Sequence, residues 1–140
     1  MELKDYGKDP IVFNIEEATL ENQRYRTTMW TGDHFQVTLM SIPAGGGDIG
    51  MEKHDHVDQF LRMEGGFGRV EMGKELNNIT VKQDVKDGDC IIIPAGTWHN
   101  VTNIGDEPMK VYSIYGPKNH PFNAQADTKE EAEEQEHHDH

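Results

Sequence analysis

Most of the chain alternates between apolar and polar residues with a period of two, which is typical of strands that bury one face. Residues 35–42 are the clearest case, because apolar side chains occupy largely every second position there. Runs rich in β-branched and aromatic residues predict further strands. These runs are residues 25–30, 60–63, 69–72, 79–85, 90–93 and 109–115, with weaker signals at 11–14 and around Val101 and Ile104.

Glycine, proline, asparagine and aspartate interrupt these runs about every ten residues, as turns between short strands require. Pro-Ala-Gly-Gly-Gly at 43–47 and Asp-Gly-Asp at 87–89 are the sharpest breaks. Helical spacing is absent from the body of the chain, so no helix is predicted there. Eight to ten short strands with this rhythm predict an all-β sandwich or a closed jelly roll.

The two ends of the chain differ from this body, which has the length of a single domain. Residues 1–10 are predicted to form a loosely held N-terminal arm, residues 11–122 a β-barrel domain, and residues 123–140 an acidic tail. Residues 127–136 have no apolar stripe and predict at most a short solvated helix capped by Asp127 or Thr128, with little part in the core. The histidines at 137, 138 and 140 suit metal binding, but a solvated tail is favoured.

The charge excludes several classes of partner. The formal net charge is −13, and the excess of acids persists when residues 127–140 are set aside. Nucleic acid and anionic membrane need a basic surface, so neither is an expected partner. The first ten residues are too charged for a signal peptide, and Cys90 is the single cysteine. Both features favour a cytoplasmic location, and the apolar run 90–93 predicts that Cys90 is a buried packing thiol.

His54 and His56 are the first candidates for chemistry. Side chains one residue apart in an extended segment project to the same side, so two imidazoles can share one metal ion. A surface pair on a hairpin is the alternative interpretation. His34 and His120 lie near predicted turns, where a surface location is favoured over a ligand role.

A second cluster lies between residues 88 and 103. A turn at Gly88 leads into an apolar strand, Pro94 ends the strand because it has no amide donor, and Gly96 permits a sharp reversal before His99. With Asn103, these residues resemble the second motif of the cupin superfamily, Gly-x5-Pro-x-Gly-x2-His-x3-Asn, at every fixed position.

The first cupin motif, which looks like Gly-x5-His-x-His-x3-4-Glu-x6-Gly, is matched less closely. His54 and His56 supply the His-x-His pair, and Gln59 is followed after six residues by Gly66. Three departures stand out. Glutamine replaces glutamate, two residues instead of three or four separate it from His56, and the leading glycine, taken as Gly47, lies six residues upstream instead of five.

The resemblance implies a small double-stranded β-helix barrel that holds one divalent transition metal ion, either Zn, Fe, Mn, Ni or Cu. The implied ligands are His54, His56, Gln59 and His99. Because glutamine is neutral, such a site keeps the full +2 charge, whereas a glutamate site carries +1. Asp58 is the alternative carboxylate ligand. It lies an even number of residues from both histidines, so in one extended strand its side chain would project to the same side as theirs.

The function implied is metal-dependent chemistry on a small anionic metabolite, of the isomerase or lyase type. A metal-dependent dioxygenase and a non-catalytic ligand-binding or sensing cupin are the alternatives. Glu52, Glu64, Tyr112 and Tyr115 are the candidate acid/base groups, and the sequence does not decide among them. The exposed edge strands of a small barrel also predict a homodimer.

Overall fold

A computed structural model of the chain describes residues 1–138, with side chains described as far as Gln135. Its strands form two antiparallel sheets that pack on one core, which confirms the all-β, jelly-roll expectation. Strands lie at every predicted run from residue 25 to residue 115, whereas residues 11–14 form none. In chain order they are β1 (Arg26–Thr31), β2 (Gln36–Ile42), β3 (Asp58–Gly65), β4 (Phe67–Gly73), β5 (Val81–Lys86), β6 (Cys90–Ile93), β7 (Trp98–Asn103), β8 (Met109–Gly116) and β9 (Gln125–Ala126).

The larger sheet has the order β6-β3-β8-β2-β1-β9, and the smaller sheet has the order β5-β4-β7. Strands that follow each other along the chain therefore often lie in different sheets, which is the crossing pattern of a jelly roll. Side chains that face each other across paired strands share one face of the sheet. The inward face of the larger sheet is thus set by pairs such as Thr38 with Ser113 and Met40 with Val111.

The interior of the barrel changes character along the strands. One end is apolar and consists of fully buried side chains from both sheets: Leu61, Met63, Val101, Met109 and Val111. The other end, reached by following the same strands, is polar although it is equally buried. Its inward side chains are Thr38, Gln59, His99, Ser113 and Tyr115.

The outer face of the larger sheet is covered by a helix that the sequence pattern did not predict. Helix α1 (Ile15–Glu21) packs its Ala18 against a buried cluster with Met29 and Leu39. Asn14 caps the helix by accepting a hydrogen bond from the Glu17 amide at 2.9 Å. Asn14 and Glu17 have the spacing of a helix-start signal, but seven residues are too few to show a period.

The predicted N-terminal arm contacts the sheet. Asp5 is buried, and its carboxylate accepts hydrogen bonds from the Thr31 hydroxyl, the Gly7 amide and the Asn123 amide. The Tyr6 amide donates to the Met29 carbonyl at 2.9 Å. These bonds hold the arm along β1.

The predicted C-terminal helix is present as α2 (Lys129–His138), and Thr128 caps it by accepting from the Glu131 amide at 3.1 Å. The expectation that it adds little to the core is wrong at one position. Ala132 is buried and belongs to the central cluster, because the helix lies against the barrel. The side chains of the histidine run at 137–140 lie outside the described residues. Neither described helix is long and apolar enough to cross a membrane.

Two burial predictions are wrong. Cys90 is exposed, because β6 pairs with β3 so that Ile91 and Ile93 point inward and Cys90 points outward. His120 is buried, because the Gln36 side chain accepts hydrogen bonds from the backbone amides of Asn119 and His120 and holds this segment against the sheet. His34 is exposed, as predicted.

Candidate metal centre

The segment before β3 lies antiparallel to β7 and brings Glu52 opposite His99. The Glu52 amide donates to the His99 carbonyl at 3.0 Å, and the His99 amide donates to the Glu52 carbonyl at 2.9 Å. The Gly96 amide donates to the His54 carbonyl at 2.7 Å, which ties the next turn to the β6–β7 loop. Backbone pairing therefore fixes the side chains of both motifs at one end of the barrel.

Glu52, His54 and His99 form a cluster whose ligand atoms all lie within 4.8 Å of one another. The Oε1 atom of Glu52 lies 3.4 Å from Nε2 of His54 and 3.6 Å from Nε2 of His99. Ligands about 2.1 Å from one ion are separated by roughly 3 to 3.5 Å, so these spacings suit a single ion.

The two imidazoles are oriented for metal binding. Nδ1 of His99 lies 2.9 Å from the Thr97 carbonyl, which can only accept, so in the neutral ring Nδ1 carries the proton and Nε2 presents a lone pair. Nε2 of His54 and Nε2 of His99 are both buried and have no hydrogen-bond partner among the described residues. Buried polar atoms normally have partners, so these two nitrogens fit a metal ion.

The state of Glu52 also suits a ligand. Burial would raise the pKa of its carboxyl group, but in the metal-free protein the imidazoles of His54 and His99, where they carry a proton toward it, outweigh burial and lower the pKa to about 2. Glu52 is therefore ionised, as a carboxylate ligand must be.

Gln59 presents its amide oxygen inside the barrel. The side chain is buried, and its Nε2 donates to the Ser113 hydroxyl at 3.1 Å. That bond leaves Oε1 buried without a partner in the described chain. The amide oxygen of Gln59 is thus a third unsatisfied ligand atom at the polar end.

The structure does not bring His56 to this cluster. The chain bends at residues 55–56 and β3 begins only at Asp58, so the alternation expected for an extended pair does not apply. His56 is exposed. Asp58 is exposed as well, and its carboxylate accepts from the Ala95 amide at 2.8 Å.

The positions of Glu52 and His54 give the first motif a different register. Gly46, five residues, Glu52, one residue, His54, four residues, Gln59, six residues and Gly66 reproduce every spacing of the cupin motif. Glutamate stands at the first histidine position and glutamine at the glutamate position. Shifting the motif by two residues along the sequence would have revealed this match. His54 and His56 fit the His-x-His pair of the motif directly, so the sequence alone favours the register that includes His56.

Gly66, which ends the first motif in both registers, has a structural role. Its φ of 87° lies in the left-handed region, and a Cβ there would lie 2.9 Å from the Met109 backbone. Glycine is therefore required at the β3–β4 turn, which fixes the distance along the chain to Gln59.

The acid/base candidates separate by face of the sheet. Tyr115 is buried, its ring lies edge-on to His54 at 6.1 Å between centroids, and burial raises its pKa to about 12. Tyr112 packs with Phe60 on the outer face, away from the cluster. Glu64 forms an ion pair with Arg62. Tyr115 is therefore the one of these that contacts a cluster histidine.

A cavity of about 180 Å³ lies beside Glu52. Residues 49–52, Tyr25 and Arg26 form one side of it, and Lys129, Ala132 and Glu133 of α2 form the other. The acidic helix is thus a wall of the cavity next to the cluster of Glu52, His54 and His99.

Residues 38–115 match the family model described as the cupin domain, which spans more than half of the chain. YrkC of Bacillus subtilis, whose function is uncharacterised, is 55% identical over 130 residues, covering 93% of this chain and 69% of YrkC. A Bacillus halodurans protein solved at 1.41 Å resolution superposes with a TM-score of 0.92 at 51% identity, covering 94% of this chain and 98% of that chain. The chain belongs to the cupin family.

A third relative has a named activity. Acireductone dioxygenase 1 of Arabidopsis thaliana is 34% identical over 65 residues, which covers 46% of this chain and 32% of the plant protein. The match is limited to part of each chain, so it concerns the shared region alone.

Proposed function

We propose that this cupin binds one divalent transition metal ion through Glu52, His54, His99 and the amide oxygen of Gln59, and acts on a small anionic molecule. The observation that carries the proposal is the set of three buried atoms without hydrogen-bond partners in the described chain, two imidazole nitrogens and one amide oxygen, beside an ionised carboxylate. Mixed nitrogen and oxygen ligands suit Zn, Fe, Mn, Ni or Cu.

The charge of this ligand set differs from the one expected with His56. Glu52 supplies one negative charge, so the bound ion keeps +1, the same as in a site with three histidines and one glutamate. The carboxylate of Glu52 occupies the motif position of the first histidine, and the amide of Gln59 occupies the motif position of the glutamate. Metal affinity need not be weak, although Gln59 is neutral.

The reaction type that this environment supports is polarisation of a carbonyl or carboxylate, as in isomerase or lyase chemistry. A bound ion of this kind acts as a Lewis acid. Tyr115 keeps its proton at neutral pH, because burial raises its pKa to about 12. Its phenol can therefore donate a hydrogen bond to an oxygen of a ligand beside His54.

The ligand set is tested by titrating metal-free protein with Co²⁺ or Zn²⁺ in a calorimeter. We expect Glu52→Ala to lower metal affinity more than about 100-fold, since removing a group that only orients a ligand already costs 10- to 100-fold. His56→Ala is the matched control, and its affinity should equal that of the wild type. A large loss in His56→Ala with little change in Glu52→Ala would restore the original assignment.

Dioxygenase activity is the second candidate function, favoured by the similarity to acireductone dioxygenase 1. Iron-loaded and nickel-loaded protein should be assayed in an oxygen electrode with small carbonyl-containing acids. Oxygen consumption that depends on the acid would support the dioxygenase. Conversion of the acid without oxygen consumption would support an isomerase or lyase.

A non-catalytic binding cupin is the third candidate function. Metal-dependent binding of an acid without any conversion would support the binding role.

The homodimer stays a prediction. Light scattering coupled to gel filtration measures the molecular mass of the protein in solution directly. A species of 15.9 kDa would exclude the dimer.

A further inference from the structure

A row of inward hydroxyl groups crosses the larger sheet at the polar end of the barrel. Thr28 in β1 pairs with Thr38 in β2, and Thr38 pairs with Ser113 in β8. Residues paired in this way share one face. All three are fully buried. The β3 residue opposite Ser113 is Leu61, and Gln59, two residues along β3 on the same face, donates from its amide nitrogen to the Ser113 hydroxyl at 3.1 Å.

The three hydroxyls differ in their hydrogen bonds. Thr28 donates to the Ala124 carbonyl at 2.7 Å, and Ser113 accepts from Gln59. The Thr38 hydroxyl is buried without a hydrogen-bond partner among the described residues. A buried hydroxyl in that state opposes folding, whereas valine would fill the same space without an unmet polar group.

Thr38 lies near the candidate metal centre. Its pairing partner Ser113 is two residues from Tyr115 on the same face of β8, and the Tyr115 ring lies edge-on to His54. The Tyr115 phenol lies close enough to the Ser113 and Thr38 hydroxyls for weak hydrogen bonding that lowers its pKa, against the larger effect of burial. The Thr38 hydroxyl still has no partner at good hydrogen-bond geometry in the described chain. The unsatisfied Thr38 hydroxyl and the unsatisfied Gln59 oxygen therefore lie on the same wall.

We propose that the Thr38 hydroxyl binds an oxygen atom of the ligand, whose other end faces Gln59 and the metal centre. The proposal rests on the proposed function for the position of that other end. β8 separates β2 from β3, and Gln59 lies two residues along β3 from the position level with Thr38, so the two side chains start about 12 Å apart on one inward face. A threonine hydroxyl donates to a carboxylate and accepts from an alcohol, so the ligand class is a small carboxylic or hydroxy acid.

The first test compares the thermal unfolding of Thr38→Val and Thr28→Val in the metal-free protein. We expect Thr38→Val to raise Tm by about 3 °C, because it removes a buried hydroxyl that has no hydrogen bond of good geometry. Thr28→Val is the matched control one strand away, and it should lower Tm because it breaks the bond to Ala124. A lower Tm in Thr38→Val would show that its hydroxyl is satisfied within the folded chain, and would overturn the proposal.

The second test uses cobalt-loaded protein titrated with glycolate, a two-carbon hydroxy acid, and followed by the visible spectrum of cobalt. We expect Thr38→Val to weaken glycolate binding by about three- to tenfold, the value of one hydrogen bond, with cobalt affinity unchanged. Thr28→Val should bind glycolate as the wild type does.

The possible failures are distinguishable. If the wild type does not bind cobalt, the proposed metal function is wrong, while the Tm comparison still tests whether Thr38 is unsatisfied. If cobalt binds but glycolate does not, or if Thr38→Val binds glycolate as well as the wild type, the role of Thr38 is overturned and the metal function stands.

Discussion

The two ends of the barrel interior are equally buried but chemically opposite. Leu61 and Val111 belong to the apolar end, while Gln59 and Ser113, two residues away on the same strands, belong to the polar end. Each buried apolar side chain stabilises the fold by about 1.5 to 3 kcal/mol. Each unsatisfied polar atom opposes it by about 1 to 3 kcal/mol. The apolar end therefore holds the barrel together, and the polar end is available for chemistry.

The first way to test this division is to damage the apolar end. Leu61→Ala should lower the free energy of unfolding by about 2 to 5 kcal/mol, because it leaves a cavity in the packed core. Urea denaturation measures the loss. Metal affinity should remain that of the wild type when measured in the folded state.

Ile92→Ala is the control for Leu61→Ala. Ile92 lies on the neighbouring strand β6 but is 57% exposed, so its truncation should cost less than about 1 kcal/mol. Comparable losses in the two variants would mean that the apolar end is not the main source of stability.

The second test uses the acid sensitivity of the polar end. Burial and the nearby Arg26 guanidinium lower the pKa of His120 to about 3, while Glu52 opposes this and His54 adds to it. Tyr115 packs edge-on against the His120 ring and stays protonated throughout. In the unfolded chain the histidine has a pKa near 6.5, so stability is complete above that pH and falls as the pH drops toward 3.

The loss from His120 alone should reach about 2 kcal/mol at pH 5, since each pH unit below 6.5 contributes about 1.4 kcal/mol. His120→Gln should therefore lose less stability than the wild type between pH 7 and pH 5, as followed by urea denaturation at each pH. Equal losses in the two proteins would show that His120 is protonated in the folded state.

The smallest expected effect tests the exchanged positions of the carboxylate and the amide. Glu52→His should weaken Zn²⁺ binding by about tenfold, because it removes the charged ligand. Adding Gln59→Glu to that variant should restore most of the affinity, since the carboxylate returns at the usual motif position. Asp58→Asn is the control and should leave affinity unchanged. A double variant weaker than Glu52→His alone would show that Gln59 does not face the ion.

Most strands could be predicted because alternation has a local cause. Side chains in an extended chain alternate faces, so a half-buried strand such as β8 carries the pattern in its own residues. Helix α1 could not be predicted in this way. Its seven residues are too few to show a period, and it is held by packing against Met29 and Leu39, which lie far along the chain.

It was harder to predict which side chains of a strand face inward than to predict the strand itself. The run Cys90–Ile93 is uniformly apolar, so nothing in it shows which side faces inward. Pairing with β3 decides that Ile91 is buried and Cys90 is exposed. His120 shows the same limit, because its burial depends on two bonds to the distant Gln36 side chain.

The sequence by itself determined the all-β architecture, the second motif around His99 and the resemblance to cupins, since each depends on local spacing. Only the tertiary structure decided that Glu52 lies with His54 and His99 and that His56 does not. The physical reason is that convergence depends on pairing between distant segments, here Glu52 with His99 and Thr38 with Ser113. A bend of the chain at residues 55–56 is enough to change which side chains meet in the cluster.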